Sequence, residues 1–281
     1  MAIFGLIGYP LEHSFSPKYM NALFRKEGMD HYYEAFPLKK HELPEFIKHL
    51  RLFNVRGINI TIPYKADVIS YVDDISEEVE LIGACNVIKV ENNRLIGYNT
   101  DWYGFLKPLE LEGIDVSGKK AFIYGSGGAA KSVLYALSRA KIGQITFLAR
   151  TPQKAMDMID MVGETYPIKT KIVEWTEGSL DKIKEELEMA DIIINTTPLG
   201  MYPKTETMPP IPDMELKGKI FYDLVYNPLQ TKFLKFAKDR GAKTISGIYM
   251  LMYQGAKALS IWLSGEYEKK VKEIFEKLNF I

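Results

Sequence analysis

Ala121-Phe-Ile-Tyr-Gly-Ser-Gly-Gly-Ala-Ala130 decides how the chain folds. An apolar run, residues 121–124, breaks into a glycine turn before a helix-period segment over 128–140, and a second apolar run follows at 144–149. Strand, glycine turn, helix and strand in that order open a mononucleotide-binding unit. Residues 125–130 match G-x-G-x-x-[G/A] in the context that gives the motif meaning. Gly125 supplies the tight turn, Gly127 lets the backbone approach a pyrophosphate, and Ala130 is small enough for close helix–strand packing. The free N–H groups of the helix start then face the phosphates.

The strand after this helix should end in an acid if a ribose 2′-hydroxyl is to be bound. It ends instead Ala149-Arg150-Thr151, with Lys154 one turn later. Arg150 can stack on adenine or fork onto a 2′-phosphate, Thr151 offers a hydroxyl and Lys154 a second positive charge, so NADP is expected over NAD.

Outward from this unit, apolar runs alternate with helix-period segments along the whole chain, the signature of α/β layering with mostly parallel strands. The pattern predicts strands at 2–8, 31–36 and 55–60, and helices near 17–28 and 41–52. Residues 85–99 differ: two β-rich segments flank Asn92-Asn93, a dipeptide tolerant of positive φ, and predict a hairpin. A helix is expected over 101–111, and further strands at about 170–175, 190–195 and 219–225, with a proline-rich loop over 198–212. The chain should close with amphipathic helices at about 247–262 and 266–279; lysine and glutamate mix in the second at spacings suited to a solvated face.

A chain of 281 residues exceeds one small core and fits two domains. Its 47% hydrophobic and 26% charged fractions are those of a folded globular protein. Lysine plus arginine equals aspartate plus glutamate at 36 each, so no global field gathers nucleic acid or anionic membrane, and an anionic ligand must be held locally. Neither partner is expected. Cys85 is the sole cysteine, which excludes an internal disulfide and fits a small buried thiol in a reducing cytoplasm. Met1–Gly8 lacks the basic region and cleavage site of a signal peptide, and no apolar stretch reaches the length of a membrane span.

Polar clusters mark the first half. In Glu12-His-Ser-Phe-Ser-Pro17 the serine before proline is an N-cap arrangement, Ser14 has no such role, and two hydroxyls beside a positive helix end suit a carboxylate. His13 is a general-base candidate. In Asn59-Ile-Thr-Ile-Pro-Tyr-Lys65, strand alternation puts Asn59, Thr61 and Pro63 on one face at the carboxyl end, where ligand crevices form. Lys65 follows at once, and a lysine partly withdrawn from water is a proton-transfer candidate. Residues 97–104, Gly-Tyr-Asn-Thr-Asp-Trp-Tyr-Gly, precede a helix that Thr100 or Asp101 could cap. A carboxylate and a lysine facing a substrate hydroxyl would also make a proton-transfer pair for an alcohol losing hydride. The string His41-Glu-Leu-Pro-Glu45 lacks the second histidine of a zinc motif.

Together with Gly8-Tyr-Pro-Leu-Glu-His-Ser-Phe-Ser-Pro17, Gly83-Ala-Cys-Asn86, Asn195-Thr-Thr-Pro-Leu-Gly-Met201 and Tyr222-Asp-Leu-Val-Tyr226, these strings resemble the shikimate dehydrogenase family in order and spacing along nearly the whole chain. The resemblance implies NADPH-dependent reduction of 3-dehydroshikimate to shikimate, on the route to chorismate and the aromatic amino acids. It implies that Ser14 and Ser16 hold the substrate carboxylate, that Asn59, Thr61, Asn86, Tyr226 and Gln254 meet ring hydroxyls or line that pocket, and that Lys65 and Asp101 carry the proton. Gly125, Ser126, Gly127, Gly128 and Ala129 would cradle the pyrophosphate. Ala149, Arg150, Thr151 and Lys154 would form the adenosine end, and Leu224 and Gly247 the nicotinamide end. Ala149 stands where the family often has asparagine.

The expected architecture is α/β with two domains and the active site in the cleft between them. Residues 1–101 plus 242–281 would form the substrate domain and 102–241 a Rossmann domain for NADP, in a monomer or homodimer. Three rivals share the fold: a quinate/shikimate dehydrogenase using NAD as well as NADP, a non-catalytic sensor of a cyclic acid, and a folate-type dehydrogenase. The cations after Ala149 disfavour the first, retention of Lys65 with Asp101 the second, and the paired serines the third.

Overall fold

The computed structural model describes residues 1–12 and 14–281. It divides into two compact units, Met1–Gly104 with Met252–Ile281, and Phe105–Leu251.

The first unit carries β1 (Ala2–Gly8), α1 (Ser16–Lys26), β2 (His31–Pro37), α2 (Leu43–His49), β3 (Val55–Ile60), β4 (Asp74–Ile75), α3 (Glu77–Ile82), β5 (Val87–Glu91) and β6 (Arg94–Tyr98). Its sheet runs β2-β1-β3-β5-β6-β4. The first three strands are parallel, whereas β3–β5 and β5–β6 are antiparallel. That reversal matters for the site. Where β3 runs out at its carboxyl end, β5 begins and β6 finishes, with Asn59 opposite Val87 and Val87 opposite Tyr98. Asn92 and Asn93 take φ of 51° and 63°, the left-handed pair that a two-residue hairpin requires. Ile7, Ile47, Ile58, Val79, Cys85 and Ile88 are among the buried residues of this unit's core.

The helix α4 (Asp101–Leu111) contains the first unit boundary. The second unit continues with β7 (Lys120–Tyr124), α5 (Gly128–Arg139), β8 (Gln144–Ala149), α6 (Pro152–Gly163), β9 (Lys169–Glu174), α7 (Leu180–Met189), β10 (Ile192–Asn195), β11 (Ile220–Asp223), α8 (Lys232–Asp239) and β12 (Lys243–Ser246). Its sheet is parallel throughout, in the order β12-β11-β10-β7-β8-β9. Strand order reverses between β7 and β10, the switch point at which doubly wound sheets open a crevice for ligands. Phe122, Tyr124, Leu148, Ile193, Phe221 and Phe233 help fill its core.

The final helices are α9 (Gly247–Leu263), which contains the second boundary, and α10 (Glu268–Lys277). The two units divide at 104/105 and 251/252, and Lys243–Ser246 pairs with β11 in the second sheet. The expected helix over 41–52 is shorter, since 3₁₀ turns at Lys40–Glu42 and Leu50–Leu52 flank it. The solvated α10 also buries Val271, Ile274 and Phe275, and Tyr19 of α1 packs on Phe275 at 4.8 Å between ring centroids.

Candidate active site

The polar residues of the first unit converge at the carboxyl end of β3. Lys65 Nζ lies 2.6 Å from Asp101 Oδ2, with 22% and 7% of the two side chains exposed. Asn86, immediately before β5, donates from Nδ2 to Asp101 Oδ1 at 2.8 Å and to Thr100 Oγ1 at 3.0 Å, while its Oδ1 accepts from the Thr100 amide at 2.7 Å. Gln254 of α9 joins them, its Oε1 at 3.4 Å from both Asn86 Nδ2 and Thr100 Oγ1. Asn59 donates to the Asn86 carbonyl at 3.3 Å. Asn59, Asn86, Thr100 and Asp101 are all buried, so this cluster of polar groups persists because its members satisfy one another.

One local expectation is corrected. Ser16 does not cap α1: Phe15 occupies that position without a side-chain cap bond, and Ser16 is the first helical residue, buried. Ser14 instead accepts from the Ser16 amide at 3.3 Å, so the serine that had no structural role has one. At α4 a side chain just ahead of the helix binds the first helical amide. Asn99 Oδ1 accepts from the Asp101 amide at 2.9 Å, which leaves the Asp101 carboxylate to Lys65 and Asn86. Thr61 is half-buried and its amide is held by the Ile7 carbonyl at 2.9 Å. His13 lies outside the described residues.

Cys85 lies beside this group and is inert. Burial pushes its thiol up to about 12, its exposure is 0%, and its amide donates to the Lys65 carbonyl at 2.7 Å. The cysteine braces the backbone of Lys65 rather than acting itself.

In the second unit the turn after β7 fits a dinucleotide phosphate. Gly125 has φ of +102°, and a Cβ there would meet Thr196 Oγ1 and Thr197 Cγ2 at 2.9 Å, so the loop after β10 leaves room only for glycine. Gly127 and Gly128 have open space where their side chains would be, and no side chain caps α5. Fully buried Ala130 packs α5 on the sheet. Ser126 and Ala129 are half-buried on either side of the open glycines. Ala149 is buried at the end of β8, while Arg150, Thr151 and Lys154 are exposed beyond it, and neither cation forms an ion pair among the described residues.

Sequence reasoning missed the polar tie behind this turn. Asp223, at the end of β11, accepts from Asn195 Nδ2 at 2.9 Å, the Val225 amide at 3.0 Å and Thr231 Oγ1 at 2.6 Å. Asn195 Oδ1 in turn accepts from Thr197 at its amide and hydroxyl, which fixes the loop against Gly125. Leu224 donates to the Asn195 carbonyl at 3.0 Å, and Gly247 sits so close to the Leu224 carbonyl that a Cβ would fall 2.3 Å from it. Tyr226, expected with the substrate residues, lies on this second unit's loop after β11, its phenol pushed up by burial. Both Asn195 and Asp223 stand in the quoted strings, and a buried acid closing a strand was the available signal.

Residues 6–88 match the family model described as the shikimate dehydrogenase substrate binding domain, and residues 109–204 match shikimate / quinate 5-dehydrogenase. A shikimate dehydrogenase (NADP(+)) of Clostridium perfringens is 40% identical over 279 residues, 99% of this chain and 98% of its own. The chain belongs to the shikimate dehydrogenase family. Among solved structures of this fold, the shikimate 5-dehydrogenase of Listeria monocytogenes in complex with shikimate and NAD has a TM-score of 0.90 and 32% identity, covering 99% and 96% of the two chains. The ligand-free 5-ketofructose reductase of a Gluconobacter strain superposes with a TM-score of 0.85 at 28% identity, covering 99% and 98%. Membership of the shikimate dehydrogenases agrees with the polar group around Lys65.

Proposed function

We propose that this chain catalyses the reversible, NADPH-dependent reduction of 3-dehydroshikimate to shikimate in the cytoplasm, as a step toward chorismate and the aromatic amino acids. The Lys65–Asp101 pair at 2.6 Å, held in a buried polar cluster, is the observation that carries the reading. A site that only binds a cyclic acid has no need of a proton-transfer pair.

NADP, when bound, supplies the hydride chemistry. Gly125 to Ala129 hold its pyrophosphate, Arg150, Thr151 and Lys154 its 2′-phosphate, and Leu224 and Gly247 its nicotinamide end. On the substrate side, Ser14 and Ser16 bind the carboxylate, and Asn59, Thr61, Asn86 and Gln254 fix the ring hydroxyls. Asp101, restrained by Asn86, holds the Lys65 ammonium in place. Lys65 and Asp101 together give a proton to the ketone oxygen during reduction and take it back from the alcohol during oxidation. A bound substrate has its ring oriented by amides and hydroxyls that their neighbours already hold in place, so little reorganisation is needed before the proton moves.

A second reading, use of quinate and NAD as well, is favoured by the family description that names quinate and by the relative solved with NAD. The deciding experiment follows NADPH formation with purified protein, NADP+ and shikimate, beside quinate and beside NAD+. Shikimate turnover with NADP+ and little with quinate or NAD+ supports the first reading. Comparable rates in all arms select the second, and no turnover in any arm contradicts both.

A further inference from the structure

Tyr33 lies on β2, has no motif around it and is fully buried. Its phenol donates to Asn59 Oδ1 at 2.7 Å. Its backbone is clamped from α1: the Tyr33 amide donates to Asn21 Oδ1 at 2.9 Å, and Asn21 Nδ2 donates to the carbonyls of Tyr33 at 2.7 Å and Pro17 at 2.9 Å. One ring thus connects α1, which begins at Ser16, to Asn59 near the end of β3.

The bond has a chemical consequence. A side-chain amide can present either its oxygen or its N–H groups to a ligand, depending on which way it is turned. The Tyr33 hydroxyl occupies the Asn59 oxygen, and one Asn59 N–H goes to the Asn86 carbonyl at 3.3 Å. The group left over is an N–H. We infer that Tyr33 is a positioning residue for substrate recognition, locking Asn59 as a hydrogen-bond donor toward a ring hydroxyl oxygen and holding it in register with Ser16, the residue assigned to the carboxylate. This inference rests on the shikimate reading given above.

Tyr33→Phe keeps the buried ring and removes only the hydroxyl. Asn59 is then free to turn its oxygen outward, and the expected result is a KM for shikimate raised about tenfold, with kcat within about threefold and the KM for NADP+ within about twofold. Because Tyr33 acts through Asn59, the same change made in an Asn59→Ala background raises KM by less than about twofold further. A general structural defect would act equally in both backgrounds. Asn59→Asp supplies a test that leaves Tyr33 in place: the carboxylate keeps the Tyr33 bond but has no N–H to offer, so shikimate KM rises about tenfold or more. An unshifted shikimate KM in Tyr33→Phe or in Asn59→Asp, or an equal shift of Tyr33→Phe in both backgrounds, overturns the inference. Wild-type protein that does not oxidise shikimate contradicts the functional reading itself, whereas active wild type with unshifted variants contradicts only the role of Tyr33.

Discussion

Asn195 Nδ2 donates to Asp223 Oδ1 across 2.9 Å, joining the carboxyl ends of β10 and β11 beside the glycine turn. Burial raises the Asp223 carboxyl to about 7, against the pull of the bonds from Thr231, Val225 and Asn195. In the unfolded chain the same group titrates near 3.8. The native state therefore holds the proton more tightly, so the stability linked to Asp223 is fully present below the unfolded value and is lost as pH rises through about 7. Urea unfolding at about pH 5 and about pH 8, compared with Asp223→Asn, should show the wild type losing about 2–3 kcal/mol relative to the variant on going to the higher pH. A constant difference between the two proteins would contradict this.

Gly125 and Gly127 should respond differently to alanine. At Gly125 both the positive φ and the 2.9 Å approach of Thr196 and Thr197 oppose a side chain, so Gly125→Ala lowers stability by about 1–3 kcal/mol and weakens NADPH binding. At Gly127, φ is −90° and no protein atom lies within 4 Å of the added carbon. Gly127→Ala should leave thermal unfolding unchanged and still weaken NADPH binding, measured by nicotinamide fluorescence. Undiminished NADPH affinity in Gly127→Ala would place the phosphates elsewhere.

Arg150 and Lys154 extend into solvent without ion-pair partners among the described residues, ready for an anionic group. Replacing both by alanine should raise the KM for NADP+ at least about tenfold, leave that for NAD+ within about twofold, and flatten the dependence of NADP+ affinity on salt. Equal losses for both cofactors would argue against 2′-phosphate recognition here.

What was legible in the sequence was local. Val55–Ile60 and the Asn92-Asn93 hairpin follow from alternation and from residues that accept positive φ, and Ala121 to Ala130 announces its turn by glycine spacing. Less visible were the short strands Asp74–Ile75 and Lys243–Ser246, whose pairing comes from distant β6 and β11 rather than from their own pattern. The bonds that Ser14 and Asn99 make to the amides of Ser16 and Asp101 were not visible either, because such geometry depends on backbone angles that composition does not encode. Tyr33 and Asp223 were hidden for a different reason. Each acts through partners many residues away, Asn59 and Asn195, and only the packed sheet brings them together.

The most direct test of the central claim is steady-state oxidation of shikimate by Lys65→Ala. If Lys65 and Asp101 move the alcohol proton, kcat falls by about 10²–10⁴ while the KM for shikimate changes little, and the buried cluster of Asn86, Thr100 and Asp101 keeps the variant folded. Near-normal turnover in this variant would remove Lys65 from the chemistry and contradict the account.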